Sequence, residues 1–207
     1  MKFFVDYDTF RKSHIDRVII KKKNAVILDV GCGDGHLFRE YKVIGIDIDE
    51  EALKKNPNPT IRMNITEEKL PFDDNTVDQI FCLEVLEHFK TVKNVVKVLK
   101  EFYRVLKFGG SLIIHTPNRE RLNLVIRKIL GKPKKYPFLV GSLQRERVFQ
   151  DWHYHEFTKE ELKKLLVRCG FKPKIYAGYL NFPFISKYGI PIKTRFGRTL
   201  IVEAIKD

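Results

Sequence analysis

Long apolar runs are absent from the 207 residues, and every hydrophobic stretch meets a charge well before the roughly 20 residues that a membrane-spanning helix requires. No transmembrane segment is expected. The opening MKFFVDYDTFRKSHID lacks the continuous apolar centre of a secretory signal, so export is not expected either. Cysteine is scarce: Cys32, Cys82 and Cys169 are odd in number, far apart and without the paired spacing of zinc sites. They read as buried thiols of a cytoplasmic protein. Internal repeats and low-complexity segments are missing. Acidic side chains are in the minority, 26 Asp and Glu against 39 Lys and Arg, for a net charge of +13. That excess suits attraction to nucleic acid, peripheral contact with an anionic membrane, or an acidic substrate, without choosing among them. Scarce Met and Cys beside abundant Lys, Ile and Glu also fit a thermophilic origin. With 43% hydrophobic residues the chain reads as one domain, residues 1–207, with a sizeable core. Composition leaves its oligomeric state open.

What is present is organised around VILDVGCGDGHLF, Val26 to Phe38, where an apolar β-branched run ends in Gly31, Gly33 and Gly35. Alternating glycines mark a strand turning sharply into the next element. Glycine accepts positive φ and leaves no side chain between backbone and ligand, so a cofactor can approach the main chain there. A dinucleotide fingerprint would place its third glycine three positions after the second, where this chain has His36, which argues against NAD. The next buried run, Val43 to Asp49, reads VIGIDID and places Asp47 at the end of a second strand. A carboxylate there can accept hydrogen bonds from both hydroxyls of a ribose. Asp49 and Glu50 read as the N-terminal cap of the following helix.

The glycine turn with Asp29 before it, the acidic end of the second strand, the LPF phrase at Leu70 to Phe72, the strand and LEHF phrase at Val77 to Phe89, and the paired Gly109 and Gly110 stand in one order over nearly the whole chain. In that order they resemble class I S-adenosylmethionine-dependent methyltransferases. The likeness is greatest to the broad group that includes ubiquinone and menaquinone biosynthesis enzymes and many small-molecule methyltransferases. It implies an α/β, Rossmann-like three-layer sandwich whose seven-stranded, mostly parallel sheet has an antiparallel last strand.

The resemblance implies S-adenosylmethionine as cofactor and S-adenosylhomocysteine as product. Its binding residues would be Asp29, Gly31, Cys32, Gly33 and Gly35 at the turn, and Asp47 on the ribose. Ile48 would pack on the adenine ring, with Asn64 and Ile65 at its edge. Asn64 stands where the family commonly has an aspartate. Ligands of open parallel sheets collect beyond the carboxyl ends of the strands, which places Cys82, Leu83 and Glu84 toward the reacting methyl. Glu84 reads as a substrate-orienting residue or as a helix cap.

His88 in the LEHF phrase, and His153 and His155 in DWHYHEFT, are the candidate bases; each also has a structural reading. Trp152 and Tyr154 of that patch, and Asn118 at the lip of the cleft, are candidate substrate contacts. His153 and His155 would share a side if extended, yet no acidic or cysteine cluster completes a metal site, and no metal is expected.

Helical spacing predicts a first helix over Tyr7 to Lys22, with His14 on a surface or half-buried, and an amphipathic helix over Thr91 to Lys107. Only a very short crossover helix fits between the glycine turn and Val43. Strands are expected at Thr60 to Ile65, Val77 to Val85, Ser111 to His115, Phe171 to Leu180 and Thr199 to Lys206. Thr158 and Glu161 form a capping box. Arg119 to Arg147 carries nine basic and two acidic residues, with Leu122, Val125, Ile126, Ile129 and Leu130 at helical spacing. Residues 119–157 therefore read as a basic cap inserted in the domain.

The Asp or Asn-Pro-Pro-aromatic motif of amino-directed nucleic-acid methyltransferases is missing, as is the Pro-Cys pair of cytosine-5 enzymes. The expected reaction is methyl transfer to a small-molecule or lipid-like acceptor. RNA methylation through the basic cap, and a non-catalytic partner protein that only binds the cofactor, are the alternatives.

Overall fold

Successive residues of the strands supply two different apolar cores, and the layered architecture follows from that alternation. The computed structural model describes residues 5–135, 138–139, 152–182, 185–191 and 193–207. Its main sheet has seven strands, β1 (Ile27–Val30), β2 (Ile44–Asp47), β3 (Thr60–Arg62), β4 (Val77–Leu83), β5 (Leu106–Pro117), β6 (Phe171–Gly178) and β7 (Thr199–Lys206). They lie in the order β3-β2-β1-β4-β5-β7-β6. The pairs β2–β3, β1–β2, β1–β4 and β4–β5 are parallel, while β7 runs antiparallel to both β5 and β6. The expected sheet, with its inserted antiparallel last strand, is the one observed.

Leu28 and Val30 of β1, Ile80 and Cys82 of β4, and Leu112 and Ile114 of β5 face one core with Val95, Leu99 and Phe102 of α3 (Val92–Val105) and Leu162 and Leu166 of α5 (Lys159–Arg168). Ile27, Phe81, Leu83 and Ile113 face the other, against Ile15 of α1 (Tyr7–Val18) and Phe38. Most helix starts are fixed by side-chain caps. Asp6 accepts from Thr9 N, Thr91 from Asn94 N, and Thr158 with Glu161 forms the reciprocal capping box read from the sequence. Asp49 caps the four-residue α2 (Glu50–Leu53), accepting from Glu51 N and Ala52 N.

Several boundaries differ from the sequence reading. Residues after the glycine turn form no helix; consecutive i to i+3 turns link Gly35 N to Cys32 O, Phe38 N to Gly35 O and Tyr41 N to Phe38 O. α1 ends at Val18 rather than Lys22, and β3 stops at Arg62. β4 ends at Leu83, where Glu84 enters the left-handed region with φ +59. β5 is far longer than Ser111 to His115, starting directly where α3 ends.

The ends of the basic segment meet: Asn118 bridges Phe157 and Arg119 N donates to Phe157 O at 3.0 Å. Within it, α4 (Leu122–Ile129) buries Leu124, not the expected set; Ile129 is 78% and Leu130 67% exposed. Residues 136–137 and 140–151 of the expected cap lie outside the described residues. No helix among the described residues is long and apolar enough to cross a membrane.

Candidate active site

A cavity of about 810 Å³ opens beyond the carboxyl ends of β1, β2 and β4. One wall is the glycine turn, where Gly31, Gly33 and Gly35 have φ of +76°, +50° and +68°. The three are not equivalent. A Cβ on Gly31 would stand 2.2 Å from Val85 Cγ2, and one on Gly35 2.3 Å from Asn56 Oδ1, whereas a Cβ on Gly33 meets nothing within 4 Å. Gly31 and Gly35 are glycines for packing and φ; at Gly33 the open side faces the place where a ligand would approach. Gly31, Cys32 and Gly33 line the cavity; Gly35 does not.

Asp47 crosses from β2 to the turn. Its Oδ2 accepts from Gly33 N at 2.8 Å and its Oδ1 from Asp49 N at 2.9 Å. Each carboxylate oxygen keeps a second lone pair, so the group can still accept from two ribose hydroxyls. Ile48, 45% exposed and on the cavity wall, offers a flat apolar surface beside it. Asn64 and Ile65 also line the cavity, but Asn64 Oδ1 already accepts from Thr66 N at 3.1 Å and Thr66 Oγ1 at 2.8 Å. Its remaining offer to a purine edge is the amide N–H.

Asp29 is buried beneath the turn and does not line the cavity. Burial first, and the charge of Asp47 second, push its carboxyl up to about 8. Burial likewise pushes the Cys32 thiol far up, with Asp29 and Asp47 adding to the effect, so Cys32 is a packing residue and no nucleophile. Cys82 and Leu83 turn into the two cores and stay off the cavity wall, correcting their expected place beside the methyl.

Glu84 does line the cavity, held by a residue that the sequence did not single out. Tyr7, the first residue of α1, donates its hydroxyl to Glu84 Oε1 at 2.6 Å, while burial and that carboxylate raise the phenol well above its usual range. Arg198 lies over the Tyr7 ring at 4.3 Å. Only the helical spacing of α1 hinted that its first turn would face the sheet end.

The histidines separate. His88 lines the cavity, with Nδ1 3.0 Å from Trp152 O. His153 is buried, with Nδ1 3.1 Å from Glu156 Oε1 and its ring edge-on to His88 at 5.0 Å. His155 packs edge-on against Phe157, and burial lowers its basicity. Neither His153 nor His155 lines the cavity, nor do Trp152 and Tyr154. Tyr154 N instead donates to Glu87 O at 2.9 Å, pinning the patch to the end of β4. Asn118 is 1% exposed and donates to Arg195 O and Gly197 O, so it braces a loop rather than forming a lip.

The fold also supplies the acidic partner that the sequence spacing lacked. Glu87, His88 and His153 each offer one ligand atom, all within 4.8 Å of one another. Glu87 is 0% exposed; Oε2 accepts from Thr116 Oγ1 at 2.9 Å, while Oε1 has no hydrogen-bond partner among the described residues.

Comparison with known proteins agrees with this geometry. Residues 28–114 match the family model described as "Methyltransferase domain". The chain is 31% identical to the ubiquinone biosynthesis O-methyltransferase of Nitrosomonas europaea over 91% of its own length and 81% of that protein. To the mitochondrial ubiquinone biosynthesis O-methyltransferase of Rattus norvegicus it is 35% identical, over 76% of this chain and 47% of that protein. Among solved structures, a SAM-dependent methyltransferase from Methanosarcina mazei superposes with a TM-score of 0.64 at 24% identity, covering 89% of this chain and 93% of that one. The chain spans about half the length of the first curated relatives that it matches, between 44% and 52%. With the sheet order, the glycine turn and Asp47 in their places, the chain belongs to the S-adenosylmethionine-dependent methyltransferases of Rossmann-like fold.

Proposed function

We propose that the protein transfers the methyl group of S-adenosylmethionine to a small-molecule or lipid-like acceptor. The observation that carries this reading is the continuous cavity wall that runs from Gly33 and Asp47 at one end to Glu84 and His88 at the other. The cofactor supplies a methyl already activated by its sulfonium. Asp47 accepts from the ribose hydroxyls, Ile48 covers the base, and the Gly33 backbone admits the cofactor closely. At the other end Glu84, fixed by Tyr7, orients the acceptor, and His88 is placed to take a proton where the acceptor carries one. Positioning and exclusion of water provide most of the acceleration in such a displacement.

The relatives named as O-methyltransferases of ubiquinone biosynthesis support an acceptor oxygen in an apolar molecule. So do the exposed Ile129 and Leu130 beside Arg127 and Lys128 on α4, which suit peripheral contact with an anionic membrane holding such an acceptor. The nine basic residues of 119–147 favour RNA as the second reading. Incubation with radiolabelled S-adenosylmethionine and fractionated lysate tests both. Label is expected in the organic-extractable or small-molecule fraction; label confined to RNA, with transfer falling steeply with salt, overturns the proposal in favour of the second reading. Cofactor binding with no transfer to any fraction would make the chain a binding protein.

A further inference from the structure

We propose that Glu87, His88 and His153 bind one divalent transition-metal ion at the acceptor end of the cavity. The three residues come from two distant parts of the chain. Glu87 and His88 lie on the 3-10 turn that follows β4, and His153 comes from the short strand Trp152–His153, docked there by the Tyr154 N to Glu87 O hydrogen bond. Their ligand atoms lie within 4.8 Å of one another. Nitrogen or oxygen ligands about 2.1 Å from a common ion in tetrahedral geometry stand about 3.4 Å apart, so the group closes on a metal with side-chain movements of roughly 1 Å.

Each imidazole already has the outer partner that a metal-bound histidine ordinarily has. His88 Nδ1 faces the Trp152 carbonyl and His153 Nδ1 the Glu156 carboxylate. Those oxygens only accept, so Nδ1–H donates in both contacts and the Nε2 lone pair is the ligating one. Glu156 is in turn held by Arg121, whose Nη2 donates to Oε1 at 2.9 Å.

Glu87 gives the independent sign of a missing partner. A carboxylate with one oxygen lacking any hydrogen bond in a fully buried position is costly, and among the described residues its other oxygen is satisfied by Thr116 alone.

Two imidazoles and one carboxylate suit Zn²⁺, Co²⁺, Mn²⁺ or Fe²⁺ better than Mg²⁺ or Ca²⁺, which take mainly oxygen. Three protein ligands leave coordination positions open, as in catalytic sites. Because His88 also lines the cavity, the ion would stand beside the acceptor; with the Nε2 lone pair committed to the metal, His88 would no longer be the base, and the ion would instead make an acceptor hydroxyl release its proton to water more readily. This last role rests on the function proposed above; binding of the ion does not.

The test is titration of the EDTA-stripped full chain with Co²⁺, read by visible d–d absorption, with Zn²⁺ as competitor. The expected result is one Co²⁺ per chain, displaced by Zn²⁺, with affinity lowered about 10- to 100-fold in His88→Ala and in Glu87→Gln and unchanged in His155→Ala. Circular dichroism melts check that the variants are folded, and the wild-type titration stands without them. No Co²⁺ spectrum in the wild type, or equal affinity in folded His88→Ala, overturns the proposal. Cofactor affinity measured on the same metal-free sample separates a failed metal site from a failed methyltransferase reading.

Discussion

The Asp47 carboxylate holds the glycine turn through Gly33, whose N–H it accepts at 2.8 Å. One group thus shapes the backbone wall and faces the ribose position. Replacing it should therefore strike the cofactor harder than the fold. Two charge-assisted hydrogen bonds, each about 1.5 kcal/mol, correspond to roughly a 100-fold loss of affinity. Calorimetry with S-adenosylmethionine is expected to show that loss for Asp47→Ala and a smaller one for Asp47→Asn, with both proteins still folded. Unchanged affinity in Asp47→Ala would remove Asp47 from the site.

The glycines of the turn should separate by readout. Gly31→Ala drives a methyl into Val85, about 1–3 kcal/mol, and keeps a positive φ, about 1–2 kcal/mol more, so a destabilisation of about 2–5 kcal/mol is expected, read as a large drop in Tm. At Gly33 the space is open, and a left-handed alanine costs only about 1–2 kcal/mol. Gly33→Ala should lose less Tm than Gly31→Ala yet bind the cofactor poorly, because its methyl projects where the ligand must approach. Normal cofactor affinity in that variant would refute the close approach.

Local patterns make the glycine turn, Asp47, the Thr158 cap and the strand sequence legible, because each depends on residues a few positions apart. Contacts across the chain are not legible in this way. Tyr7 reaches Glu84, His14 reaches His115, and Glu87 meets His153 only because the sheet order brings their elements together. The crossover after Gly35 takes successive i to i+3 turns in place of the short helix expected there. On α4 the apolar period is real, but the face it traces is partly exposed.

His14, expected on a surface or half-buried, is buried with Nδ1 2.8 Å from His115 Nε2 and Nε2 3.2 Å from Glu203 Oε1. The carboxylate makes His14 Nε2 the donor, so His14 Nδ1 accepts from His115. Burial depresses both histidines, strongly so for His115, where His14 and Arg11 add to it. The unfolded chain then binds more protons below its ordinary histidine pKa of about 6.5, and stability falls as pH drops through that value. Thermal melts from pH 7 to 5 should decline more steeply for the wild type than for His115→Phe. Parallel declines would show that the pair does not set the acid limit in this window.

Asp29 should act in the opposite sense. Its folded pKa of about 8 lies above the unfolded value of 3.8, so the native state binds the extra proton between those limits and stability falls as pH rises through them. Asparagine is nearly isosteric with aspartate and carries no charge to desolvate, so Asp29→Asn should gain on the wild type as pH increases. The difference in Tm between the two proteins is expected to widen by several degrees from pH 5 to pH 8, since 1 kcal/mol shifts a domain of this size by about 2–4 °C. The cause is burial beneath the turn first and Asp47 second, so Asp47→Ala should narrow the difference without abolishing it. A pH-independent difference would mean that Asp29 is already ionised in the folded protein, and that the turn above it provides more polar surroundings than its burial implies.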